Sequence, residues 1–211
     1  MLMDDLGEPA RQATDHDGAP AAVQLHTVTK LTDPWLSRLD AAALAAMPHR
    51  IVTRLDGRGV PEAIKLAQAL HTAAPCRAAG AGLAPFGLCH SEFHPTSLHI
   101  GRRGPYLLDF ARAFTGPGLL DLASWHGTLD DPDPARTTGL IECYVSLGGH
   151  RQALAARGGL DATCWALGWH RLWVADWFTE QIERGWAQGA EHTWTTAITR
   201  HLTEAATLLH A

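Results

Sequence analysis

A mainly α-helical fold with one small β-hairpin is what this sequence predicts, on three observations. Helical periodicity sets in after Gly116-Pro117-Gly118 and holds to the end of the chain. Trp165, Trp169, Trp173 and Trp177 recur every fourth residue, so they form a slowly drifting stripe on one helix face. The stretch 87–110 shortens its period to that of strands and holds a hairpin.

Taken in order, residues 1–22 are polar, small and free of periodicity, which reads as a flexible arm ahead of a domain at 23–211. "VQLHTVTK", 23–30, alternates apolar and polar residues and predicts a short strand. Thr32 or Asp33 then caps a helix with Pro34 near its first turn, and Pro48 stops or bends it. A second helix is predicted over 60–73, with Ile64, Leu66, Ala67 and Leu70 on one side, and a Gly/Pro/Ala linker follows. "GLCHSEFHP", "SLHIG" and "PYLLDF" make short strands around the tight "GRRGP" turn. Further helices are predicted over 119–128, 135–148, 150–157, 161–184 and 191–210. The tryptophan stripe reads as a core helix with large side chains, with an aromatic platform for a ligand as the alternative.

Composition narrows the function. Hydrophobic residues make up 46% and charged residues 18%, as in a globular chain, and the formal charge is −5. The two lysines and scattered arginines form no basic stripe, which argues against nucleic acid as a partner. No long apolar run predicts a membrane span, and the acidic start does not resemble a secretory signal, so a cytoplasmic protein is expected. Cys76, Cys89, Cys143 and Cys164 show no metal or disulfide spacing and are expected as reduced, mostly buried thiols.

The chemistry concentrates between 90 and 109. His90, Glu92 and His94 alternate, so in an extended segment they share one side, where an acid flanked by imidazoles could bind a transition metal or act as a base. Asp109 ends the apolar run Tyr106-Leu107-Leu108, as suits a carboxylate presented from a strand end. Two acids separated by a hairpin are an arrangement used in phosphoryl transfer. The bland alternative is a polar strand end with histidines satisfied in the core.

"HSEFHPTSLHI…YLLDFARAFTGPGLLDLASW" resembles the signature of the aminoglycoside phosphotransferase and choline-kinase-like family. His90, Phe93, His94, Pro95, Asp109, Gly116, Asp121, Leu122 and Ala123 fall in register over about 35 residues, and the helical remainder is similar to that family's C-terminal lobe. The resemblance implies the C-lobe of a protein-kinase-like fold, with no N-lobe recognisable in the sequence. It places Glu92 where the family has its catalytic Asp and Ser97 where it has a metal-binding Asn. Asp109 then matches the Mg²⁺-binding Asp, His90 and His94 support the loop, and Asp121 braces it from a helix N-terminus, where it also reads as an N-cap.

Two exchanges fall on chemistry. Glu for Asp moves the carboxylate by ~1 Å, and misplacement on that scale can cost ~100-fold in rate. Ser for Asn leaves a shorter, weaker oxygen donor. No glycine-rich phosphate loop is found, and Lys30 on its single predicted strand is a poor phosphate clamp. The expectation is therefore a degenerate, non-autonomous phosphotransferase-like protein that binds or assembles. A protein partner or a second copy would cover the N-lobe face. The alternative is an active phosphotransferase using ATP and Mg²⁺ on a small-molecule or peptide hydroxyl, with Glu92 as base and Asp109 on the metal. A groove for an extended peptide, with Cys89 beside it, belongs to the same alternative. Glu142, Asp176, Glu180 and Glu183 would suit a cationic ligand, though solvated helix faces account for them equally well.

Overall fold

The computed structural model describes residues 6–28 and 35–211. Lys30, judged above a poor phosphate clamp, and Thr32, Asp33 and Pro34, where a helix start was expected, lie outside the described residues.

The stretch expected as arm and strand holds a helix, α1 (Asp15–His26). Asp17 closes its first turn by accepting the Thr14 amide and hydroxyl, both at 2.9 Å. Its carboxylate also takes a bidentate pair from Arg11 at 2.6 Å, and that guanidinium holds the Asp17 carboxyl well below the usual range. The helix hides from periodicity because most of its buried positions, Gly18, Ala19 and Ala22, are small, and the larger Leu25 and His26 come only in its last turn. The small residues are there for a reason: a Cβ on Gly18 would stand 2.5 Å from the Trp125 indole. Ahead of α1, the Ala10 amide donates to the Ile100 carbonyl at 2.8 Å, so this segment lies along the hairpin.

After a short strand, β1 (Ser37–Arg38), comes α2 (Ala41–Leu55). Asp40 is its cap, accepting the amides of Ala42 and Ala43 at 3.1 Å. The helix thus starts later than the sequence suggests and runs straight through Pro48. A proline removes one backbone donor, and the buried face of Met47, Ile51 and Leu55 holds the helix across the gap.

The remaining elements are α3 (Pro61–Arg77), β2 (Phe86–Cys89), β3 (Leu98–Gly101), β4 (Gly104–Leu107), β5 (Phe114–Pro117), α4 (Leu119–Ser124), α5 (Pro134–Ser146), α6 (Ala162–Glu183) and α7 (Glu191–Leu209). The 150–157 segment is one 3-10 turn, Arg151–Leu154, and α4 stops at Ser124 short of the expected 128. β3 and β4 form the anticipated hairpin, with Leu98 opposite Leu107 and Gly101 opposite Gly104. A second sheet was not anticipated. It has the order β1-β5-β2, with β1 parallel and β2 antiparallel to β5.

The core lies where α2, α3, α6 and α7 pack together. Trp165 and Trp169 are wholly buried there, and both indole N–H groups donate to one acceptor, the Arg77 carbonyl that closes α3, at 2.7 and 3.2 Å. This satisfies the polar handle that a buried indole carries. The core reading of the stripe holds fully for these two tryptophans and in part for Trp173, which is half-buried against the core.

Candidate active site

The site is built where β2, the hairpin and α4 meet. β2 delivers His90 into the interior, and the chain then turns at Ser91, which adopts a left-handed φ of 77°. That conformation is strained for serine and is held by the partner its amide finds. Asp121, fully buried, accepts the Ser91 amide at 3.0 Å on one oxygen and the His90 amide at 2.9 Å on the other. The second oxygen also accepts from His26 Nε2 at 3.2 Å. Asp121 is therefore a brace and not an N-cap: Gly118 occupies the cap position of α4, and the carboxylate faces the loop. His26, which sequence reasoning missed, brings α1 into the same knot.

His90 ties the two halves of the loop together. Its Nε2–H donates to the Leu108 carbonyl at 2.6 Å, and its ring packs edge-on against Phe110, so the peptide on either side of Asp109 is pinned. Asp109 itself sits at a φ of 64° with its side chain exposed, and its one hydrogen bond among the described residues is a long one, 3.4 Å from the Ala111 amide. Ser97 points the other way. Its side chain is buried and its hydroxyl donates to the Glu92 carbonyl at 2.8 Å. His94 sits between, with Nδ1 at 2.6 Å from the Thr96 hydroxyl; burial lowers its pKa, and the Glu92 charge partly opposes that.

Glu92 faces a chamber of about 170 Å³ that it shares with His94, Arg112, His170, Trp173, Trp177 and Phe178. The nearest cation is Arg112, at 3.5 Å, a long and loose pairing. Arg112 lies over the faces of Trp173 and Trp177, at 4.3 and 4.7 Å from their centroids. His170 stacks on Trp173 and its Nδ1 has no hydrogen-bond partner. Burial, helped by Arg171 and His201, pushes its pKa down to about 3, so it enters the chamber as a neutral ring. On the far side of Arg112, a larger groove of about 660 Å³ opens between β1, α2 and α6.

The structure thus brings Glu92 and His94 to one cavity, sets Asp109 on an exposed turn near them, and uses His90, Ser97 and Asp121 to hold the loop. His90, Glu92 and His94 do not converge: His90 turns to Leu108, and among the described residues no three His, Cys, Asp or Glu side chains are grouped to hold a metal. Cys89 is buried, and burial together with the Asp121 charge raises its thiol well above the ordinary range, which leaves it an unreactive core residue. Asp176, Glu180 and Glu183 are engaged by Arg50, Arg54 and Arg184, and Glu142 is exposed on α5. Arg112 and His170 went unread, and Trp173 and Trp177 were read first as core and only alternatively as a ligand platform. The drift of the tryptophan stripe was their only signal: at ~100° per residue, a four-residue step turns ~40°, and two such steps carry the stripe from core to cavity.

The model of the phosphotransferase enzyme family (APH) matches residues 18–140, more than half of the chain. The chain belongs to that family. No curated protein matched the sequence. Among solved structures, a putative aminoglycoside phosphotransferase from Ralstonia eutropha JMP134 superposes with a TM-score of 0.65 at 12% identity, covering 100% of this chain and 70% of its own. A choline/ethanolamine kinase family protein from Mesorhizobium loti gives a TM-score of 0.52 at 15% identity, over 92% of this chain and 65% of its own. This phosphotransferase-family chain therefore has the protein-kinase-like fold and spans about two thirds of the length of these neighbours. Among the described residues, no helix is long and apolar enough to cross a membrane.

Proposed function

We propose that this member of the phosphotransferase family is a ligand-binding protein in which the catalytic loop survives as a scaffold and phosphoryl transfer is impaired. The observation that carries this reading is the placement of Ser97. Where the family has a metal-binding amide, this chain has a buried hydroxyl already donating to the Glu92 carbonyl. The residues present meet the family's ATP and Mg²⁺ only in part. Asp109, exposed and loosely held, suits a hard cation. Ser97 offers a single hydroxyl oxygen, so the set fits one metal ligand and not the pair. Among the described residues the strands are confined to one three-stranded sheet and one hairpin, which supply one wall of a nucleotide cleft.

A protein partner closing over that wall belongs to the same reading. Val28, Leu108 and Phe110 are exposed apolar residues, and Leu108 and Phe110 flank Asp109 directly. The second reading, an active phosphotransferase acting on an alcohol, is favoured by the intact brace. Asp121 and His90 hold the loop so that Glu92, the candidate base, still opens into a cavity.

Calorimetric titration with Mg²⁺ and a non-hydrolysable ATP analogue separates the two, with Asp109→Ala as control. The binding-protein reading expects no magnesium-dependent heat at millimolar ligand. Magnesium-dependent binding that Asp109→Ala abolishes would overturn it by showing that the cleft still holds nucleotide, and the second reading would then be tested by a search for its acceptor alcohol.

A further inference from the structure

The groove on the outer side of Arg112 would suit a cationic acceptor if its acids were free, and they are not. Asp176 is held by Arg50 at 2.7 Å and by Arg54 at 2.8 Å, and Glu180 is paired with Arg184. Four arginines and these two acids line the groove, so two guanidiniums, Arg38 and Arg112, are left over. Arg38 is largely exposed and its nearest acid, Asp40, is at 3.4 Å. Arg112 is mostly buried and has a single hydrogen-bonding partner among the described residues, Glu92 at 3.5 Å, on the chamber side. A guanidinium carries five N–H donors in a planar fork, and a partly desolvated one with a single long contact lacks the partner its geometry is built for. Burial lowers the Arg112 pKa, and the Glu92 and Glu180 charges oppose that only in part.

The rest of the wall is aromatic. Trp173 and Trp177 hold Arg112 on their faces, and Trp186, 69% exposed, stands at the rim. An exposed indole beside a cavity of about 660 Å³ is a contact surface for a flat apolar body.

We propose that this groove binds an aromatic anion, an aryl carboxylate or the like, with the acid on Arg112 and Arg38 and the ring on Trp177 and Trp186. The anion approaches Arg112 from the groove, on the face away from Glu92, so the two negative groups bracket one guanidinium. The inference deepens the reading above by naming the ligand class. It rests on that reading only in taking the protein as a ligand-binding one, and it needs no nucleotide.

The test uses three probes of one shape and different charge: 4-hydroxyphenylacetate, 4-hydroxyphenylacetamide and tyramine. Each is titrated calorimetrically into the full chain without nucleotide or metal, so that failure of the phosphotransferase reading leaves the result intact. The acid is expected to bind about tenfold or more tightly than the amide or the amine, and Arg112→Gln to remove that advantage while Arg112→Lys keeps part of it. If Arg112→Gln does not fold, Arg38→Gln, at an exposed position, is expected to weaken the acid alone. Tyramine binding as tightly as the acid would overturn the proposal, as would no binding of any probe at 10 mM. Acid binding unchanged in a folded Arg112→Gln, or failing that in Arg38→Gln, would overturn it as well.

Discussion

His26 and Asp121 meet in the interior, imidazole Nε2 to carboxylate oxygen at 3.2 Å, and join α1 to the loop that carries Glu92. The same carboxylate holds the His90 and Ser91 amides, so three segments of the chain share one buried charge. Asp121→Asn replaces one oxygen with an NH₂ that must face an N–H donor. We expect a loss of about 3 kcal/mol, as for a broken buried charge network, seen as a lower urea midpoint. A parent-like midpoint would remove the brace from the account.

Gly18 and Trp125 test the docking of α1 separately. In a free helix, glycine to alanine stabilises by about 1 kcal/mol. Here the new Cβ would stand 2.5 Å from the indole, and overpacking of that kind costs about 1–3 kcal/mol. Gly18→Ala should therefore lower the melting temperature. A rise would mean that α1 does not pack on Trp125.

Ser97 can be assayed without any metal. If its hydroxyl holds the loop through the Glu92 carbonyl, Ser97→Ala loses about 1 kcal/mol in EDTA-containing buffer. A serine serving only as a metal ligand would cost nothing there.

Stability should also fall between pH 6.5 and 4.5, ahead of most carboxylate titration. Burial pushes His170 and His201 down to about 3, against about 6.5 in the unfolded chain. A histidine depressed in this way stays neutral in the fold while the unfolded chain takes up its proton. Its stabilisation is complete above about 6.5 and is lost as the pH falls toward 3, at up to about 1.4 kcal/mol per pH unit for each ring. Asp15 and Asp161, whose pKa values are lowered, add their losses below about 4, and Glu204, raised by burial, opposes the trend near its own titration. Urea midpoints at pH 7, 6 and 5 check this, and equal midpoints at all three would refute it.

What could be read beforehand follows from how each residue packs. The hairpin was legible because "GRRGP" leaves the chain no choice but to turn, α3, α5 and α7 because each has an apolar face, and α6 because large apolar side chains run along it. α1 was not, since a helix pressed against an indole must present glycine and alanine, which look like a linker. Pro48 misled for a related reason: a rule about backbone donors gave way to a well-packed face. In the site, the loop motif placed Glu92, Asp109 and Asp121 in sequence, yet a motif does not say where a carboxylate points. Asp121 was expected both to brace the loop and to cap a helix, and only the brace is made. Arg112 has no pattern of its own and became visible only once α6 laid two tryptophans beneath it.

The two indoles that share the Arg77 carbonyl have a practical corollary. Trp125, Trp165 and Trp169 are sealed from water, whereas Trp173, Trp177 and Trp186 look onto the cavities beside Arg112. The chain therefore carries its own optical gauge: a blue-emitting set that reports whether the fold is intact, and a second set whose emission responds when something enters the groove.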